Sequence, residues 1–313
     1  MSTAFIFPGQ GSQKVGMGRE LADAFGAARE VFEEIDEVLG QKLSRLMWQG
    51  PDEELLLTEN AQPALMAVSM AVVRVLEHEA GVAVRERAAF MAGHSLGEYS
   101  AFAAAGTFAL ADAARLLKTR GRAMQSAVAV GEGAMAAVLG MDMAAVREVA
   151  ADAAGDETCE VANDNAPGQV VVSGHKAAVE RAAKLAKDRG ASRAILLPVS
   201  APFHCSLMAP AADVMAEALA NCDIRPPAVP VVNNVAAAVV TDPDEVRTGL
   251  IEQVTGTVRW RESVELMAAR DVNTMIELGT GKVLSGLVRR IDRSVSCLSA
   301  GTPADVENLI NKL

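Results

Sequence analysis

Ala88-Ala89-Phe90-Met91-Ala92-Gly93-His94-Ser95-Leu96-Gly97 is the stretch on which the fold turns. Its first five residues form an apolar run of strand length, stopped by Gly93. From Ser95 through Ala105 the spacing becomes helical. A strand that ends in Gly-x-Ser-x-Gly and passes at once into a helix is the setting a nucleophile elbow requires. The glycines permit a tight turn and close backbone approach, and the turn lifts the Ser95 hydroxyl out of the sheet. The backbone N–H of Leu96, at the helix start, can point at a developing oxyanion.

Working outward, Thr3–Phe7 reads as a buried strand ended by Pro8-Gly9. Helical spacing follows over Ala22–Leu39, Ala61–Glu79 and, beyond the elbow, Leu110–Gln125. Pro63 suits a first helical turn. This alternation predicts a parallel sheet covered by helices, an α/β fold. The middle of the chain differs. Strands are expected at Ala134–Leu139, Cys159–Asn163, Gln169–Ser173 and Ala194–Pro198, with helices at Met143–Ala154 and Lys176–Arg189 and Asp142 as N-cap. That βαββαβ order within a short span is the ferredoxin-like split pattern. It places a small domain at residues 128–199, inserted into a large domain made of 1–127 and 200–313. Strands at Val229–Asn233 and Thr274–Leu278, with several helices, return the chain to its first style.

The 313 residues are half apolar, enough to bury a sizeable core. The formal net charge of −11 speaks against nucleic-acid binding and against docking on an anionic membrane. Cys159, Cys205, Cys222 and Cys297 form no C-x-x-C pair and no metal-ligand spacing with histidine, and read as reduced thiols. No signal peptide or membrane-spanning run is read, so a cytoplasmic protein is expected.

A serine nucleophile needs a base. There are four histidines. His78 sits among charged residues late in a helix, His94 adjoins Ser95 on a sharp turn, and His175 follows a strand of the small domain and is expected to face water. His204 lies in Ser200-Ala201-Pro202-Phe203-His204-Cys205, a proline-stiffened loop where the chain re-enters the large domain. It is the base by elimination; its rival reading is a structural loop histidine. Arg120 shares a helix face with Leu110, Ala113, Leu117 and Met124. A guanidinium on an apolar face needs an anionic partner, either an internal carboxylate or a carboxylate on the substrate, held bidentately. Phe5–Gln13 is a strand and glycine-containing loop whose N–H groups suit a second oxyanion donor. It lacks the form of a phosphate-binding loop, and Gly131-Glu132-Gly133 precedes a strand rather than following one.

Taken together, Phe7-Pro8-Gly9-Gln10-Gly11-Ser12-Gln13, Gln62-Pro63-Ala64-Leu65, Gly93–Tyr99, Thr119-Arg120-Gly121, Asn165–Gly174, Pro202-Phe203-His204 and Gly279–Leu284 resemble the malonyl-CoA:acyl carrier protein transacylases, in family order across nearly the whole chain. The resemblance implies a hydrolase-like α/β domain carrying the ferredoxin-like insertion. It implies that Ser95 takes malonyl from malonyl-CoA and passes it to the phosphopantetheine thiol of acyl carrier protein, with a coenzyme A thioester as substrate and no cofactor. It gives His204 the Ser95 proton, Arg120 the malonyl carboxylate, and the N–H groups of Gln10 and Leu96 the oxyanion. Gln62 and Asn165 line the pocket, and the bulky Phe203 accompanies malonyl rather than branched acyl groups. The backbone carbonyl of Gln253, ahead of Val258-Arg259-Trp260, orients His204; Thr257 stands where the family often has proline. Lys282, Arg289 and Arg290, with Arg293, form the basic cluster expected to dock an acidic carrier protein, or else an ordinary solvated helix face.

A thioesterase or esterase is the alternative function, hydrolysing the same acyl-serine. Its usual order places a histidine near the C-terminus. No histidine follows His204, and Arg120 has no task in a simple esterase. A non-catalytic module that only binds carrier protein would not need Ser95, His204 and Arg120 together.

Overall fold

The computed structural model describes residues 2–312. Among the described residues, ten strands form two sheets. Strands β1 (Thr3–Phe7), β2 (Ala88–Gly93), β7 (Val231–Val232), β8 (Val239–Val240), β9 (Thr274–Leu278) and β10 (Ser296–Ala300) build a six-stranded sheet in the order β10-β9-β1-β2-β7-β8. All neighbours are parallel except the β7–β8 hairpin. Strands β3 (Gly133–Leu139), β4 (Cys159–Ala166), β5 (Gln169–His175) and β6 (Arg193–Leu196) build a separate antiparallel sheet in the order β4-β5-β3-β6. The fold is thus mixed α/β, with one parallel and one antiparallel sheet.

β1 is buried along its whole length between β9 and β2. A continuous apolar run is what a parallel strand covered on both faces requires. The Thr58–His78 helix crosses this core between the Gly26–Leu39 and Leu110–Ser126 helices and is buried almost throughout. It begins three residues before the expected Ala61, so Pro63 lies inside it rather than in its first turn. The expected Ala22–Leu39 helix is broken at Phe25, which is extended (φ −128°). The strand expected over Val229–Asn233 is reduced to two residues. Strand β10 was not expected at all: Ser296-Cys297-Leu298-Ser299-Ala300 mixes small polar and apolar residues, as an edge strand can. In the small sheet the expected order of strands and helices is found, and the Asp142 carboxylate caps its helix by accepting from the Ala145 N–H at 2.8 Å.

The two sheets meet through a short seam. The loop at residues 253–259 leaves the large sheet's side of the molecule and pairs with β4. The Val258 N–H donates to the Ala162 carbonyl at 2.8 Å, and the Asp164 N–H donates to the Val258 carbonyl at 2.9 Å. The Thr257 hydroxyl adds a bond to the Val161 carbonyl at 2.6 Å. A proline at this position could not make that last contact.

Candidate active site

Ser95 stands at the carboxyl end of β2, where the Leu96–Ala104 helix begins, with φ 52° and ψ −110°. A non-glycine residue in that region carries backbone strain, which persists only where surrounding contacts enforce it. The flanking glycines explain how the turn closes. A Cβ on Gly93 would stand 1.9 Å from the Gly97 carbonyl oxygen, and one on Gly97 would stand 2.2 Å from the Phe7 carbonyl oxygen. The elbow is therefore packed directly onto the end of β1. His204 is also held at positive φ, 58°.

These two strained residues meet. His204 Nε2 lies 2.7 Å from Ser95 Oγ, and His204 Nδ1 lies 2.8 Å from the Gln253 carbonyl oxygen. A carbonyl can only accept, so Nδ1 carries the hydrogen and Nε2 is left as an acceptor for the serine hydroxyl. His204 is buried, and desolvation together with the nearby Arg120 charge pushes its pKa down to about 3. At neutral pH the imidazole is uncharged and ready to accept a proton.

Arg120 is 1% exposed, and burial lowers its pKa without making it anything but a cation. It reaches the site because Gly121 allows two helices to touch: a Cβ there would lie 2.5 Å from the Glu59 Cα. That approach sets Arg120 against Gln62, whose Oε1 accepts from the guanidinium at 2.7 Å. Gln253 Oε1 accepts from the other terminal nitrogen at 2.7 Å, and that nitrogen also points at Ser95 Oγ, 3.2 Å away. The Tyr99 ring lies beneath the guanidinium, 5.6 Å from it. All of these partners are neutral. Among the described residues, no carboxylate bonds to Arg120, and its buried Nε has no partner. The buried Glu98 carboxyl reaches Arg120 only through Gln253, whose side chain bonds both, so no internal carboxylate pairs with the guanidinium directly.

Gln62, Gln253, His204, Arg120 and Ser95 form one bonded network. Leu96 is buried in the first turn of its helix, and Gln10 is half-buried in the loop after β1, its Oε1 accepting from the Thr58 hydroxyl at 2.9 Å. The N–H groups of Leu96 and Gln10 make no hydrogen bond among the described residues. Asn165, on β4, reaches His94 Nε2 at 2.8 Å, so the small sheet touches the elbow beside Ser95. Burial lowers the His94 pKa. Phe203 is buried next to His204. His78 is exposed as expected; His175 is half-buried, its Nδ1 accepting from the Thr158 N–H, rather than facing water.

Lys282, Arg289, Arg290 and Arg293 are exposed. Their segment touches the Gln10 loop and the small sheet. Gly281 lies against Ser12 of the Gln10 loop, and Arg290 donates to Gln169 Oε1 at 2.8 Å, at the start of β5.

Two network members were not assigned from sequence. Glu98 is 1% exposed and accepts from Gln253 Nε2 at 2.7 Å and from the Asn234 N–H at 3.1 Å. Burial raises its pKa to about 7. Its position one helical turn after Ser95 is a sequence signal, since a charged residue there must face either solvent or the site. Asn234 is fully buried, and its side chain bonds the Gly93 carbonyl and the Ser95 N–H, on either side of His94. Nothing in its local sequence shows that. Among the described residues no cluster of three or more histidine, cysteine, aspartate or glutamate side chains is placed to hold a metal, and no helix is long and apolar enough to cross a membrane.

Comparison with known proteins places the chain in a family. A family model described as an acyl transferase domain matches residues 4–304. The malonyl CoA-acyl carrier protein transacylase of Bacillus subtilis (strain 168) is 48% identical over 312 residues, 99% of this chain and 96% of that protein. The transacylase of Escherichia coli (strain K12) is 47% identical over 301 residues, 96% of each chain. The crystal structure of the acyl-carrier-protein-S-malonyltransferase from Bartonella henselae superposes with a TM-score of 0.97 at 53% identity, covering 100% of this chain and 99% of that one. A structure of a type II PKS acyl carrier protein in complex with its malonyl-transacylase gives a TM-score of 0.96 at 40% identity, with full coverage of both chains. The chain belongs to the malonyl CoA-acyl carrier protein transacylases, within the acyl transferase domain family.

Proposed function

We propose that this protein transfers a malonyl group from malonyl-CoA, through an acyl-serine on Ser95, to the phosphopantetheine thiol of an acyl carrier protein, supplying chain extension in fatty-acid or polyketide synthesis. One observation carries the choice of substrate: a buried Arg120 guanidinium faces the nucleophile with only neutral partners. A buried cation with no carboxylate bonded to it is costly unless an anionic ligand completes it. A short acyl group ending in a carboxylate meets that need while its thioester carbonyl lies at Ser95.

The steps follow from the chain's own groups. Ser95 Oγ attacks the thioester carbonyl as its proton passes to His204 Nε2. The oxyanion that develops is stabilised by the free N–H groups of Leu96 and Gln10. Collapse breaks the carbon–sulfur bond, and the coenzyme A sulfur takes the proton from His204. The carrier's thiol then enters, gives its proton to His204, and forms the new thioester as Ser95 Oγ leaves and is reprotonated. The Gln253 carbonyl holds the imidazole in the tautomer both halves need. Gln62 and Asn165 line the pocket with polar groups, and Phe203 limits its width to an unbranched malonyl group.

We read the part built on the six-stranded sheet, residues 1–127 and 200–313, as a hydrolase-like catalytic domain. Residues 128–199 form a ferredoxin-like insertion, supported by the βαββαβ order and the β4-β5-β3-β6 arrangement. Lys282, Arg289 and Arg290, exposed on one segment, dock the acidic carrier protein. The four cysteines, all free in the structure, suit a cytoplasmic setting.

Intact mass after mixing with malonyl-CoA tests the reading. A malonyl adduct on Ser95, discharged on adding holo carrier protein with malonyl appearing on the carrier, is expected. Accumulation of free malonate with no carrier labelling would replace transfer by hydrolysis, and an unmodified Ser95 would remove the acyl-serine itself.

A further inference from the structure

The strained elbow has a support that neither its motif nor the reaction chemistry identifies. β2 and β7 run parallel, with Met91 opposite Val231 and Ala92 opposite Val232, and the Met91 N–H donates to the Pro230 carbonyl at 3.0 Å. Continued by one rung, a parallel ladder would join the Asn234 main-chain N–H to the Gly93 carbonyl and the Ser95 N–H to the Asn234 main-chain carbonyl. Neither bond exists. The Asn234 side chain makes both instead: its Nδ2 donates to the Gly93 carbonyl at 2.7 Å and its Oδ1 accepts from the Ser95 N–H at 2.7 Å. A primary amide has the same donor and acceptor pair as a peptide unit, so it can stand in for one.

The substitution frees the Asn234 main chain for other work. Its N–H donates to Glu98 Oε2 at 3.1 Å, and its carbonyl accepts from the Arg259 N–H at 2.9 Å, on the loop that carries Gln253 and Thr257. Asn234 is fully buried, so none of these groups has water as an alternative partner.

We infer that Asn234 is a positioning residue that holds Ser95 in its strained backbone conformation, through a side-chain rung that extends the β2–β7 ladder past the end of β7. The inference deepens the acyl-serine reading and rests on it. Asn is suited chemically: Ala offers neither contact, Asp keeps the acceptor for the Ser95 N–H but loses the donor to Gly93, and Gln sets the amide one methylene too far. Without the rung, the half-buried Ser95 N–H and the buried Gly93 carbonyl lose their partners, and the elbow relaxes toward an unstrained φ. The hydroxyl then drifts from His204 Nε2, and displacements on the scale of 1 Å lower rates by about a hundredfold.

The test measures the single-turnover rate of Ser95 acylation per folded molecule in wild type, Asn234→Ala and Asn234→Asp, with malonyl-CoA, acetyl-CoA and an uncharged fluorophosphonate that labels activated serines. Expected is a loss of about 10- to 100-fold for Asn234→Ala, similar for all three reagents, because the Arg120 clamp is untouched and the malonyl-to-acetyl ratio survives. Asn234→Asp, which retains shape and one contact, is expected between the two and gives the reading if Asn234→Ala does not fold. Acylation within twofold of wild type in the folded variants overturns the inference, even where melting temperature falls. So does a loss confined to malonyl-CoA, which would put Asn234 in substrate binding. Failure of malonyl-CoA to label wild type, with the fluorophosphonate still reacting, would fault the substrate reading and leave the elbow support standing.

Discussion

The six-stranded sheet and the four-stranded sheet contribute to the site in very different ways. The first sets Ser95 on the end of a central strand and gathers Arg120, Gln62, His204 and Gln253 from helices and loops packed around it, nearly all buried. The second contributes one half-buried side chain, Asn165, and an edge strand that pins the 253–259 loop. The reacting groups are fixed by a closed core that can hold strained backbone. The smaller sheet acts from outside, as a wall and a brace. Strain needs many enforcing contacts, and those exist where parallel strands and covering helices meet.

The sharpest way to break this contrast is to remove a buried group from the first region. Arg120→Ala deletes the desolvated charge proposed to pair with the substrate carboxylate, worth about 2–5 kcal/mol. The kcat/KM for malonyl-CoA should fall by about 30- to 5,000-fold. Acetyl-CoA should be used no worse, and better if the vacated space admits it. Unchanged malonyl-CoA kinetics would overturn the assignment of the carboxylate to Arg120.

A brace should matter less. Thr257→Val removes a single hydrogen bond between the loop and β4, worth about 1 kcal/mol. A loss of about fivefold in acylation is expected, equal for malonyl-CoA and acetyl-CoA, because His204 orientation and not carboxylate binding is disturbed. A loss as large as that of Arg120→Ala would mean that the seam is part of the catalytic core.

The last effect concerns pH and leaves the reaction aside, and it sets two buried groups against each other. The pKa of His204 falls from 6.5 to about 3 on folding, so the unfolded chain binds a proton that the folded chain refuses, and stability is lost as pH drops below 6.5. The pKa of Glu98 rises from 4.5 to about 7, so the folded chain holds a proton that the unfolded chain has released. Its contribution is present below 4.5 and is lost as pH rises toward 7. Between 4.5 and 6.5 the two slopes oppose each other. Glu98→Gln keeps an acceptor for Gln253 Nε2 and the Asn234 N–H but abolishes the titration. Its stability should therefore decline on acidification through that window, by about 1 kcal/mol per pH unit more steeply than wild type. Denaturant melts at several pH values check this, and parallel curves for the two proteins would show that Glu98 does not titrate there.

Much of this site was legible in the chain because the signals were local. A five-residue apolar run ended by Gly-x-Ser-x-Gly specifies strand, turn and nucleophile within ten residues, since the steric demands of the turn fall on the glycines themselves. Arg120 was visible because a charge interrupts an apolar helix face, and His204 because few histidines compete. The βαββαβ order of the small sheet could be read from periodicity alone. The edge strand β10 could not, because an edge strand needs no continuous apolar face.

What the sequence determined by itself is which groups are proposed to react and the turn that presents one of them. What only the tertiary structure decided is which atoms meet. Gln253 acts through its carbonyl on His204 and through its side chain on Arg120, and the guanidinium is left without a carboxylate bonded to it. Asn234 replaces a peptide rung under Ser95 from 139 residues away. Such pairings depend on how strands register and how closely helices approach. Chain distance carries no trace of them, because burial and not sequence proximity makes each unpaired polar group seek its partner.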